Sequence, residues 1–457
     1  MKRSIIQLIS ILFAGAVGLY SALESFLIDD RLGKSTDRYL YVLLGAVAAL
    51  FIIYYAFIGQ LYKKADMWIF LSLFVYAFLV TWMYYGFSVL LFTLRFYYIW
   101  FMCVFLFVAV RVMPKPERLV RTFAFAYVLT VCALGVFILV RATMTLREQF
   151  PSNERLLGCF RVGRLCGMIN ANTMSFHCMT AIMLSLYSCV KGGRKRRIFY
   201  GSAIVILWFL MGLNNCRTTN FALAFTVGAF VFALIRKLLA KKGAKTIKKN
   251  ISAAAAAGAT ALAVIFVLML PTLIYRTGVT AAAKIARDQQ MLDNVALIYE
   301  RNVSDVETLT DRTLVWKRSV ELIFKNPRRT LFGISVRSPE AVNGAYEGRH
   351  DIAMPFAHTM FLEIFRRLGL IGLLIWIVLL CIWGIRAVSK FLDTGGDNAV
   401  IYLMAAAAGA LLTGITEQGP FLISTAIAVP YLFFLCCGAA MRDDDNEKAD
   451  NEEKDPA

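Results

Sequence analysis

Apolar stretches long enough to cross a bilayer alternate with short polar connections along almost the whole chain. They fall at 4–24, 39–60, 66–86, 89–110, 119–140, 170–190, 198–214, 217–235, 251–273, 367–385, 398–415 and 420–440. A transmembrane helix needs about 20 predominantly apolar residues, so the pattern predicts an all-α polytopic membrane protein of about twelve helices. One long polar segment, 274–366, separates the ninth run from the tenth. The sequence therefore divides into helices 1–9 (1–273), a cap segment (274–366), helices 10–12 (367–440) and a tail (441–457). The tail is acidic, has few apolar residues and reads as disordered.

The connections carry a second pattern. Lys63 and Lys64, Arg111 to Arg121, Lys191 to Arg197, Arg236 to Lys249, and Arg386 with Lys390 make every second loop basic. Under the positive-inside rule both termini are cytoplasmic. The external face then receives 24–38, 87–88, 141–169, 215–216, 274–366 and 416–419. The stretch 272–357 holds twelve Lys/Arg against ten Asp/Glu, and long translocated segments are exempt from that rule.

Composition agrees with the pattern. Of 457 residues, 59% are hydrophobic and the mean hydropathy is +0.64, against about 45–50% apolar in soluble domains. The formal charge of +19 lies mostly in the short loops, so it reads as a topology signal and not as a nucleic-acid surface. Ten cysteines sit mostly within apolar runs, as small core hydrophobes. The first run has no small-residue cleavage site and reads as a retained helix. The sequence shows no Walker loop, no zinc spacing and no internal repeat.

Within the cap, Thr310 with Asp311 marks a helix start. Trp316, Val320, Ile323 and Phe324 then recur at helical spacing until Asn326-Pro327. The cap is thus partly helical. It closes on Pro355 to Gly372, which opens the tenth helix with His358 at its mouth. At helical spacing His358, Leu362 and Arg366 share a face, and Glu363 meets Arg367.

Five polar features fall on the predicted external side. Arg95 lies within the fourth run, where an arginine marks function or an ion pair, or snorkels to the interface. Arg164-Leu165-Cys166-Gly167-Met168-Ile169-Asn170-Ala171-Asn172 offers donors to an oxyanion or to sugar hydroxyls, and equally forms a turn and helix cap. His177, deeper in that helix, has no second histidine at metal spacing and reads as a satisfied core residue. Arg217 starts the eighth helix, where the dipole also attracts anions. Arg312 belongs to the cap helix. Two arginines and His358 at external helix ends fit recognition of a lipid pyrophosphate, because the guanidinium fork matches phosphate oxygens. Glu363, Arg367, Arg95, Arg164 and Asn172 complete the substrate-binding candidates.

Three blocks resemble the O-antigen ligase and O-antigen polymerase superfamily of bacterial envelope glycosyltransferases. Arg164-x-x-Gly167-x-Ile169-Asn170-Ala171-Asn172 is similar to its arginine, glycine, asparagine-proline-asparagine segment, with Ala171 where proline is usual. Asp311-Arg312-x-x-x-Trp316, with Asn326-Pro327 and Leu331-Phe332-Gly333, is similar to its external arginine-tryptophan block. Ala357-His358-Thr359-x-Phe361-Leu362-Glu363, with Gly369-Leu370-Ile371-Gly372, resembles its histidine-asparagine helix, with Thr359 in place of asparagine. Arg217 matches a fourth family arginine.

The resemblance covers roughly 155–390 and implies metal-independent, inverting glycosyl transfer without a cofactor. The donor it implies is an undecaprenyl-diphosphate-linked oligosaccharide, and the acceptor is a hydroxyl of a glycan or lipid-linked glycan. Arg217 and Arg312 would bind the pyrophosphate, His358 would activate or orient the acceptor, and Arg164 and Asn172 would line the site. The implied setting is the external face of the bacterial cytoplasmic membrane, among lipids and other envelope polysaccharide assembly proteins. A polysaccharide flippase of similar helix count is the alternative, although transporters usually show related halves and midplane sites. A scaffold in an envelope complex leaves the clustered arginines unexplained.

Overall fold

The computed structural model describes residues 2–27, 34–148, 159–161, 164–166, 171–299, 307–336, 357, 359–392, 398–417, 419 and 428–442. The helices are α1 (Lys2–Leu27), α2 (Lys34–Ile58), α3 (Ala65–Val112), α4 (Pro116–Arg147), α5 (Ala171–Lys191), α6 (Arg194–Asn214) and α7 (Arg217–Lys241). They continue as α8 (Thr246–Ala286), α9 (Gln289–Tyr299), α10 (Glu307–Phe324), α11 (Pro327–Phe332), α12 (Met360–Leu392), α13 (Asn398–Leu412) and α14 (Ala428–Ala440). Two short strands, β1 (Phe160–Arg161) and β2 (Arg164–Leu165), pair antiparallel before α5. Each predicted apolar run carries a helix. Among the described residues, ten helices are long and apolar enough to cross a membrane, with shorter apolar helices at Phe96–Val112 and Ala428–Ala440. The chain is a multi-pass membrane protein.

The third and fourth runs form α3, which doubles back at Gly86, where φ is +67° and ψ −170°. Ring pairs Phe74–Trp100 (5.2 Å) and Phe74–Tyr97 (5.1 Å) close the hairpin. At its open end Arg111 meets Asp66 at 2.8 Å, both buried, and the Trp383 indole donates to the same carboxylate at 3.4 Å. A lone charge there would be costly, and the pair makes it tolerable.

α8 runs to Ala286, well past the predicted end at 273. It contains Pro271, which cannot donate a hydrogen bond to the carbonyl of Val267 one turn back. The Trp208 indole on α6 supplies a donor to that carbonyl at 2.9 Å, and Thr272 Oγ1 returns a bond to Gly212 O at 2.8 Å. The Pro271 ring fits against Gly212, where a Cβ would fall 2.4 Å from Pro271 Cγ. Trp208→Phe is expected to lower stability by about 1 kcal/mol, in the range of interhelical hydrogen bonds in membranes. Thermal melting in detergent reads this out, and an unchanged midpoint would refute it.

α9 buries Met291, Val295 and Ile298, one turn apart, while the Asn294 amide donates to Leu146 O at 3.2 Å at the end of α4. Asp288 Oδ1 caps α9 through Met291 N at 2.9 Å. In the cap helix α10 the first turn begins at Glu307, ahead of Thr310, and the helix ends before Asn326-Pro327 as predicted. Asn326 Oδ1 then accepts from Arg328 N and starts α11.

α12 begins at Met360 and breaks at Gly369, where φ is +65° and ψ −171°. The break receives the end of α11. Gly333, at φ +74°, lies so close that a Cβ there would fall 2.3 Å from the Arg367 carbonyl. A Cβ on Gly369 would fall 2.3 Å from Leu331 O. Ile334 N and Ser335 N both donate to Arg367 O, at 3.1 and 2.9 Å. The Tyr76 hydroxyl on α3 donates to Leu368 O at 3.0 Å, and Ser335 Oγ to Thr81 Oγ1 at 3.1 Å.

Polar contacts sort into two ends. Lys191 meets Glu117 (2.7 Å), Lys237 meets Asn398 (3.1 Å), and Lys390 meets Arg442 O (2.7 Å). Each joins residues predicted to be cytoplasmic. The contacts described next join residues of the opposite set.

Candidate functional site

Three helix starts meet at the end of the bundle that carries the cap. β2 delivers Arg164, whose Nε donates to Asn214 O at 2.6 Å and whose Nη2 donates to Asn172 Oδ1 at 2.6 Å. Asn172 sits in the first turn of α5, and its Nδ2 donates to Glu417 Oε1 at 3.5 Å. Asn214 ends α6 and Asn215 turns the chain at φ +46°, ψ +49°. Cys216 then starts α7 without a side-chain cap. Thr218 Oγ1 lies 2.7 Å from Thr416 Oγ1, so the α7 start and the loop after α13 are joined directly. Thr219 reaches back to α5 through Ser175, at 2.6 Å.

Arg217 occupies the first position of α7. Its side chain is exposed and makes no hydrogen bond or ion pair with a described residue. A cation at a helix N-terminus opposes the dipole, so the fold gains nothing electrostatically from it. An anion bound from outside the chain would reverse that balance.

The start of α12 comes to the same place. Met360 packs against the loop after α13, where a Cβ on Gly414 would lie 3.0 Å from Met360 Cβ. Just upstream, Ala357 N donates to Glu363 Oε2 at 2.8 Å. His358 lies outside the described residues, but its neighbours on both sides are thus anchored. The side chains of Arg95 and Arg312 are also outside them. The backbone at Arg312 belongs to α10, which packs on α12, with Phe324 and Phe365 ring centroids 5.7 Å apart.

Glu363 and Arg367 are buried and already satisfied. Glu363 Oε1 accepts from Arg366 Nη2 at 2.9 Å and from Arg367 Nε, and Arg367 Nη1 donates to Val336 O at 3.1 Å. The expected Glu363–Arg367 pair is present, with Arg366 as a third member. In this arrangement the carboxylate holds Ala357, next to His358, and Arg367 holds the Leu331–Val336 segment.

His177 is fully buried, and its two ring nitrogens meet Tyr127 OH at 2.7 Å and Ser25 Oγ at 2.9 Å. Among the described residues no three of His, Cys, Asp and Glu stand together as a metal set.

Sequence reasoning did not single out Thr416 and Glu417, or Asn214. The Asn214 amide is buried with neither polar atom partnered among the described residues, while its carbonyl accepts from Arg164. The available signal was a short polar loop, Thr416 to Gly419, set between two apolar runs.

Residues 178–377 match a family model described as O-antigen ligase. The match contains Arg217, Arg312, His358, Glu363 and Arg367, while Arg95, Arg164, Asn172 and Glu417 lie outside it. No curated protein matches the chain.

Proposed function

With residues 178–377 matching the O-antigen ligase family, we propose that the chain is a membrane glycosyltransferase acting at the meeting point of α5, α7 and α12. Its donor is an undecaprenyl-diphosphate-linked oligosaccharide, and its acceptor is a hydroxyl of a glycan or lipid-linked glycan. It works in the cytoplasmic membrane of a bacterium, with this end of the bundle facing outward.

The observation that carries this reading is the Arg217 guanidinium at the head of α7, exposed and without a hydrogen-bond or ion-pair partner among the described residues, together with the Arg164–Asn172–Glu417 chain. The acceptor oxygen attacks the anomeric carbon from the face opposite the diphosphate, and the carbon–oxygen bond to the diphosphate breaks. Negative charge grows on the departing lipid diphosphate. Arg217 and Arg312 stabilise it, an electrostatic contribution that counts most where charge develops. A ring nitrogen of His358 takes the acceptor proton, a task suited to a group titrating near neutrality. Arg164 and Asn172 line the donor side. Glu363 acts one step removed, by holding Ala357 beside His358, and Arg367 acts by holding Glu363 and the Leu331–Val336 segment. The two guanidiniums offset the leaving group's charge, so the scheme needs no metal ion.

Surface polysaccharide length in a deletion strain tests the reading. The strain is complemented with wild type, His358→Ala, Arg217→Ala or Arg312→Ala, and membrane abundance is followed in parallel. Loss of polymer at normal abundance, with lipid-linked repeats accumulating outside, is the expected result. Repeats trapped on the cytoplasmic side of the deletion strain would mean a flippase instead. Normal polymer in all three variants would refute the site.

A further inference from the structure

The loop after α13 touches three helix starts, and its form is tightly set. Thr413 Oγ1 donates to Ala410 O at 2.6 Å, Glu417 N donates to Thr413 O at 2.9 Å, and Gly419 turns at φ +61°. On this support Thr416 contacts α7, Gly414 and Gly419 press on Met360 of α12, and Glu417 reaches Asn172 of α5. Glu417 is half-buried, so its carboxylate borders the site and is not part of the packed interior.

A side-chain amide has one accepting and one donating end. The Oδ1 of Asn172 accepts from Arg164, and its Nδ2 faces the carboxylate oxygen of Glu417. Turning the amide over would set its NH2 group against the guanidinium and its oxygen against the carboxylate. Arg164, which only donates, and Glu417, which accepts, therefore hold Asn172 in this direction from its two ends, and the amide in turn holds Arg164. Arg164 is also held by Asn214 O through Nε, so among the described residues Nη1 and the second Nη2 hydrogen have no acceptor. The contact of 3.5 Å is long, as catalytic-site hydrogen bonds often are outside the substrate complex.

We infer that Glu417 is a positioning residue for glycan transfer, acting through Asn172 to set the Arg164 guanidinium. The inference rests on the transfer reading above. Asn172 holds Arg164 at Nη2 while it presents its oxygen to the guanidinium, and Asn214 O holds it at Nε. A neutral group at position 417 would accept or donate and would leave the amide held in this direction from the Arg164 end alone.

The test uses full-length protein and lipid-linked glycan extracted from membranes of the deletion strain. Kinetics and melting are compared for wild type, Glu417→Gln, Glu417→Asp, Asn172→Ala, Glu417→Gln/Asn172→Ala and Arg217→Ala. Glu417→Gln keeps the shape and removes the charge, so it should melt like wild type and lose about tenfold in kcat/KM, as Asn172→Ala should. Because both act on one guanidinium, the double variant should also lose about tenfold, whereas independent sites would multiply to about a hundredfold. Glu417→Asp keeps the charge and should recover part of the rate. A multiplicative double variant, a lowered melting point in Glu417→Gln, or full activity in Glu417→Gln beside a dead Arg217→Ala would overturn the role of Glu417. No glycan transfer by the wild-type protein would remove the transfer reading and this inference with it.

Discussion

Arg217→Ala should reduce glycan transfer by about 10²–10³-fold, the range for deleting one preorganised donor aimed at developing charge. Its membrane abundance and melting point should not change. The guanidinium is exposed and makes no hydrogen bond or ion pair with a described residue, so its removal breaks no polar interaction among them. It also relieves a cation placed at the positive end of α7. Arg217→Lys should recover only part of the rate, since an ammonium supplies charge without the two-pronged fit to phosphate. Transfer assays at matched protein levels decide the matter. Activity within threefold of wild type for the alanine variant would contradict a diphosphate role for Arg217, whereas loss of protein would show that its role is structural.

Glu363→Ala should have the largest structural effect of any single substitution considered, roughly 3–5 kcal/mol, the cost of leaving a buried charge without its partner. Arg366 and Arg367 both direct guanidinium nitrogens at Glu363, and all three residues are buried. The same carboxylate accepts from Ala357 N, so the chain beside His358 would lose its anchor too. Replacing all three charges, as in Glu363→Leu/Arg366→Met/Arg367→Met, should be less harmful than the single change, since no uncompensated charge remains. It would not be neutral, because Val336 O would lose the Arg367 donor. Detergent melting and membrane abundance separate the variants. A single variant that melts like wild type would show that the triad is not a stabilising unit.

The bilayer made the helical runs legible. A segment in lipid must be apolar and must satisfy its own backbone, so run length alone located each of them. Where lipid stops, that guide stops. The ninth run ends at 273 because hydropathy falls there, but the alanine-rich stretch up to Ala286 stays helical. The tenth run starts no earlier than 367 because Glu363 and Arg366 count as polar, although both are buried against each other and Arg367. Pairing hides charge from solvent in a way that no single-residue scale records. In the site, Arg164, Asn172 and Arg217 were recognisable as donors near helix starts. Glu417 was not, because its significance comes from Asn172 and from the α7 and α12 starts, all distant in sequence. The cap helix already runs from Glu307, so Thr310 lies inside its first turn and does not cap it.

The facing pair Gly333 and Gly369 constrains how this sequence can drift. A side chain on Gly333 would run into the backbone from Arg367 to Gly369, and one on Gly369 into the backbone from Leu331 to Gly333, and each has a positive φ that other residues adopt with strain. A change at one cannot be compensated by making the other smaller, since glycine is already the smallest residue. The two positions therefore behave as a single heritable character. Across descendants of this chain, both glycines should be kept together, or both lost in a lineage that has rebuilt the α11–α12 junction altogether.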